Sequence, residues 1–173
     1  MNKHLTPKRQ RQAAFLPFML EHILDLICID TEFHIDHPVS PEEKVRLQTN
    51  LPTIKQAYNL AREERIKNLS DAKILVSMKR DYNEFFAEPL AHKTNGYALL
   101  IAFYICRVLQ DNDIPVPVPL IQALKLVLPF AEEGENKDRI EGYKKSAWKA
   151  AVKLMKRLQR REYLIPQSME IAA

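Results

Sequence analysis

Three glycines in 173 residues, Gly96, Gly134 and Gly142, set the tightest limit on how this chain folds. Two-residue hairpins and phosphate-cradling loops both need backbone conformations that glycine supplies most cheaply. Neither GxGxxG nor GxxxxGK[ST] occurs. The breaks fall instead at eleven prolines, and the runs between them carry apolar residues at helical spacing. Apolar residues make up 46% of the chain, enough at this length to bury one sizeable core.

Thr6 and Pro7 read as cap and first residue of an opening helix, with positions 16, 20, 23 and 27 on one face. Pro17 is expected to kink that helix or to begin it. Leu26–Ile29 read as its end, and Asp30–His37 as a polar link. Ser40, Pro41, Glu42 and Glu43 start a second helix, which Pro52 is expected to break or kink. Ile54, Ala57, Tyr58, Ala61 and Arg65 or Ile66 continue its stripe. Ser70 and Asp71 cap a third helix that stops before Pro89. Thr94 or Asn95 opens a strongly apolar fourth helix, in which Tyr97, Phe103 and Tyr104 read as core. Pro115, Pro117 and Pro119 interrupt the pattern. A short helix then ends near Pro129, and a long final one covers roughly 138–162.

These elements predict an all-α fold, a compact bundle of about six to eight helices closed by a long basic amphipathic C-terminal helix. Residues 1–113 form the N-terminal helical bundle, 114–119 a Pro-rich link and 120–173 a C-terminal helical subdomain, within one compact domain. The longest apolar run, Tyr97–Leu109, is shorter than the roughly 20 residues that span a bilayer. The basic-then-apolar N-terminus is interrupted by Glu21, His22 and Asp25 and does not read as a secretory signal. Cys28 and Cys106 lie in apolar runs, as buried thiols of a reducing cytoplasm do. A cytoplasmic protein is expected.

The net charge of +4 conceals segregation. Residues 1–12 carry four bases and no acid, 13–43 seven acids and no Lys or Arg, and 137–173 ten bases against four acids. In the last helix Ile140, Tyr143, Ala147, Ala151, Leu154 and Leu158 share one face, with Trp148 and Met155 beside it. Lys145, Lys149, Lys153, Lys156 and Arg160 lie opposite, with Arg157 at the margin and Arg161 following. Few acids stand four residues away to neutralise them, so the repulsion is relieved most directly by an external polyanion such as a nucleic-acid backbone. Docking of these bases on the chain's own acidic segment, Glu21–Glu43, is the competing arrangement. A face of solvated lysines is the simplest one.

Lys144–Pro166 is similar to the recognition helix and following strand of a winged-helix domain: a serine near the helix start, a late leucine, a charged turn and an apolar pair. That similarity implies Lys144, Lys145, Lys149 and Lys153 facing a groove. Glu162 stands where the family has glycine, and Pro129 disturbs the preceding turn. Asn and Gln are missing from the surface around these lysines, which implies backbone binding and not sequence readout.

Asp30-Thr31-Glu32-Phe33 resembles the first motif of the DEDD-type 3′–5′ exonucleases, whose alternate acids hold divalent metals. The family's further aspartates, with a Tyr or His four residues before the last, have no counterpart at Asp71, Asp81, Asp111 or Asp113. In an extended segment Asp30, Glu32, His34 and Asp36 would point one way, but adjacent residues seldom complete a metal sphere. No catalytic residue, metal or cofactor is therefore expected. His22, beside Glu21 and Asp25, reads as a surface histidine, and Trp148 as core that borders the basic stripe.

The expectation is a non-enzymatic protein that binds nucleic-acid backbone, DNA or RNA without sequence preference. It would serve as an accessory subunit of a nucleoprotein assembly or a small DNA-associated regulator. The residues are Lys145, Lys149, Lys153, Lys156, Arg157, Arg160 and Arg161, aided by Lys8, Arg9 and Arg11. The alternative is a protein–protein adaptor or oligomerisation module whose acidic and basic faces pair with an acidic protein surface or, in a homodimer, with each other. No membrane partner is expected.

Overall fold

The structure is a computed structural model and describes residues 6–69, 71–87, 95–111, 113, 116–132 and 137–160. Ser70, Arg161 and, of the link at 114–119, Ile114 and Pro115 lie outside this set, as does the apolar pair of the winged-helix similarity; Val118 and Pro119 already belong to the fifth helix. The described residues fold as helices, with no strand among them: α1 (Pro7–Asp36), α2 (Pro41–Asn68), α3 (Ala72–Ala87), α4 (Asn95–Asp111), α5 (Val118–Glu132) and α6 (Lys137–Arg160).

Local chemistry starts these helices where the side chains can satisfy free N–H groups. Thr6 Oγ1 accepts from Arg9 N–H at 3.2 Å and Ser40 Oγ from Glu43 N–H at 3.1 Å, each followed by proline at the first helical position. Asp71 Oδ1 accepts from Lys73 N–H at 2.8 Å. The Pro117 carbonyl accepts from Leu120 and Ile121 at the start of α5. Asp113, at φ 58°, turns the chain out of α4 in a conformation that aspartate tolerates better than most residues.

Four sequence expectations are corrected. The first helix does not begin at Pro17, which is buried within α1, and the second is not broken at Pro52, through which α2 runs on. Each proline removes one N–H from the ladder, but the neighbouring turns and the packing hold the helix together. Likewise α5 continues through Pro129 to Glu132. The largest correction concerns Asp30–His37: Asp30–Asp36 are not a polar link but the last two turns of α1, and His37 is its C-cap. Cys28 and Thr31 are buried at i and i+3, so an inward stripe persists while the charged positions face out.

α1 and α2 form an antiparallel helical hairpin. Glu21 pairs with Arg65 and Glu32 with Lys55, so positions rise along α1 as they fall along α2. α3 and α4 pack on α1, α5 on α2 and α4, and α6 on α4. Residues 14–20 of α1 are all buried, which marks this stretch as the centre of the core. Met19, Ile23 and Leu24 belong to one continuous cluster with Ile54 and Ala57 of α2, Met78 of α3, Ile101 and Ile105 of α4, Leu120 and Leu124 of α5 and Leu154 and Leu158 of α6. Over an 18-residue window α1 is long and apolar enough to cross a membrane, and 56% of that window is buried inside the bundle.

Candidate nucleic-acid interface

α6 divides into two faces. Ala147, Ala151, Leu154 and Leu158 are fully buried, and the helix packs on α4. Two alanines in that face let the helix backbones approach closely. The side chains of Ile140 and Tyr143 lie outside the described set. On the other face Lys145, Lys149, Lys153, Lys156 and Arg160 are exposed, and Arg157 is half-buried at the boundary. Four residues of helix rise about 6 Å, so Lys145, Lys149 and Lys153 form a row with that repeat. Near the helix end Lys156, Gln159 and Arg160 line a shallow open recess.

Trp148 sits between the two faces. Its ring meets Tyr104 of α4 edge-on, with centroids 5.5 Å apart, yet 39% of the residue remains exposed. It is thus partly packing and partly surface, a flat apolar group beside cations, and such a group can stack on an unpaired base.

These lysines remain exposed, and the acidic segment has pairings of its own. Glu32 pairs with Lys55 of α2 at 3.2 Å, and Asp30 with His34 one turn on at 3.5 Å. Glu32 and Asp36 are exposed, as are Lys149 and Lys153. The bases at the N-terminus stand on another helix: Lys8 is exposed, while Arg9 and Arg11 are half-buried. α1 and α6 share α4 as a neighbour.

Helicity also disperses the acids of the DTEF stretch. Asp30 and Glu32, two residues apart, point in different directions on a helix. Among the described residues no group of three His, Cys, Asp or Glu side chains comes together in a way that could hold a metal ion.

Sequence reasoning missed a second polar site. His22 is not a surface histidine. It is half-buried, edge-on to Tyr82 of α3 at 4.6 Å and stacked with Phe18 at 6.2 Å. It borders a cleft of about 170 Å³ with Glu21, Asp25, Tyr58, Arg65 and Lys79. Burial, and then the nearby Lys79 charge, push the His22 pKa below its usual value, against Asp25 and Glu21. Burial raises Tyr58, and the hydrogen bond to Glu21 raises Arg65 further. The Glu21-His22-Asp25 cluster was a signal for this site, but its partners come from α2 and α3. Both thiols are buried and unpaired with each other, and burial pushes Cys106 up to about 12.

Comparison with protein-family models, curated proteins and solved structures finds no match to this chain.

Proposed function

We propose that this chain binds the phosphate backbone of nucleic acid through the outward face of α6, by charge and without base readout. It acts as a binding protein, an accessory subunit of a nucleoprotein assembly or a small DNA-associated regulator, and not as a catalyst. The observation that carries this reading is the division of α6: its apolar side is fully buried, while Lys145, Lys149, Lys153, Lys156 and Arg160 are turned outward. A long basic amphipathic helix whose apolar side is spent on the core presents its charged side to solvent, where a partner can reach it. Phosphates favour such a row because each one neutralised releases condensed counterions. Asn and Gln are absent from residues 144–156, so the row of lysines has no adenine-reading amide, and Gln159 stands only at its far end beside Arg160. The partly exposed Trp148 favours single-stranded over duplex nucleic acid, since only unpaired bases offer a free ring face.

Titration against generic single-stranded and duplex DNA and RNA across a salt series tests the reading. Binding is expected to weaken steeply with salt. Lys149→Glu/Lys153→Glu/Lys156→Glu is expected to abolish it. Replacing the same residues with glutamine should flatten the log–log salt dependence by about 2–3, the contribution of three phosphate contacts. Absence of binding near ~50 mM salt, where phosphate contacts are strongest, overturns it.

A further inference from the structure

The second half of α1 is apolar on two opposite sides. Leu24, Cys28 and Thr31 face the core, while Leu26, Ile29 and Phe33 point away from it at i, i+3 and i+7. These three are 42%, 57% and 56% exposed and form one stripe along about 10 Å of helix. Scattered exposed apolar residues are ordinary, but a contiguous row opposite the buried face is not. Phe33 is also held in place: its ring stacks on His37 at 4.5 Å and meets His34 edge-on at 5.5 Å. An aromatic ring already ordered loses little freedom on binding.

Charge identifies what the stripe receives. Exposed carboxylates flank it on both sides, Asp30 on one and Asp25, Glu32 and Asp36 on the other. Residues 13–43 contain no Lys or Arg. Glu32 has Lys55 as its neighbour from α2 and Asp30 has His34, while the rim as a whole remains acidic. We infer that this stripe docks a basic amphipathic helix of another protein, whose apolar residues cover Leu26, Ile29 and Phe33 and whose flanking Lys and Arg meet Asp25, Asp30 and Asp36. An incoming amphipathic helix would lay its own anchors, at i, i+3 and i+7, against this row. A second copy of α1 would set acids against acids, and an anionic membrane would be repelled in the same way. This inference rests on α1 alone and stands whether or not α6 binds nucleic acid.

The probe is a labelled 18-residue Leu/Lys peptide of helical periodicity, with a Leu/Glu peptide of the same pattern as control. Anisotropy is expected to show the Leu/Lys peptide binding the full chain at least tenfold more tightly than the control. Ile29→Gln/Phe33→Gln, which keeps helix-compatible residues at exposed positions, should raise its Kd at least tenfold. Asp25→Asn/Asp30→Asn/Asp36→Asn should weaken it severalfold and reduce its salt dependence. Equal binding of the two peptides, or an unchanged Kd in the glutamine variant, overturns the inference. So does a dimer, seen by light scattering, that the glutamine variant dissociates. Retention on phosphatidylcholine vesicles that the same variant abolishes would assign the stripe to a membrane surface instead, and would overturn it too.

Discussion

Arg65 of α2 holds Glu21 of α1 by both edges of its guanidinium, Nη2 donating to Oε1 at 2.9 Å and Nε to Oε2. The two side chains are 17% and 12% exposed, so the pair is largely withdrawn from water. Removing one partner leaves a charge that the site cannot solvate fully. Arg65→Met is expected to cost about 3 kcal/mol in urea denaturation. The double variant Glu21→Leu/Arg65→Met should recover much of that loss, because no uncompensated charge remains. A double variant as unstable as Arg65→Met would show that shape, and not charge, sets the cost.

His22 links the same region to pH. Its folded-state pKa lies below the usual 6.5, so the unfolded chain binds its proton more readily. Its contribution to stability is fully present above pH 6.5 and is lost as pH falls through that value toward the lowered one. The urea midpoint should therefore drop between pH 7.5 and 5.5. His22→Gln should flatten that drop, and an equal slope in the variant would assign the effect to other groups.

Pro52 lies inside α2 with an exposed side chain, and the Gln48 carbonyl lacks the backbone donor that any other residue at 52 would supply. Pro52→Ala restores that donor without opening the core. It is expected to stabilise the fold by about 1–2 kcal/mol, the gain in helix propensity less the added freedom of the unfolded chain. Pro17→Ala should gain less, because Pro17 is buried and its ring fills space in the core. Thermal melts of the two variants, compared side by side, check this order.

The two faces of α6 should separate under mutation. Leu154 is fully buried, and Leu154→Ala is expected to cost about 2–5 kcal/mol. Lys149→Ala, on the exposed face, should change stability by less than about 0.5 kcal/mol. Comparable losses at both positions would mean that Lys149 is engaged in the fold and not available to a partner.

What could be read from the chain alone was local. Thr6, Ser40 and Asp71 announced helix starts because a cap bonds within three residues. The buried face of α6 followed from spacing alone, since Ala147, Ala151, Leu154 and Leu158 repeat at three and four residues. The end of α1 was misread for a physical reason. Three acids and two histidines between 30 and 37 outweigh the few inward positions, yet in a two-helix hairpin only the inward positions must be apolar. Prolines at 17, 52 and 129 misled for a related reason: their cost is local, while the packing that offsets it comes from other helices. The His22 cleft was beyond reach because Arg65 is 44 residues from Glu21 and Tyr82 sits on α3.

The position of α5 bears on how the chain is made. α5 packs on both α2 and α4, and α6 packs on α4, so residues from Val118 onward cover helices synthesised long before them. A ribosome adds roughly 5–20 residues per second, so α2 and α4 would wait seconds with apolar flanks uncovered. Folding of this bundle is then completed only once α5 and α6 have emerged, and the nascent chain has its greatest need of a chaperone while they are still in the exit tunnel.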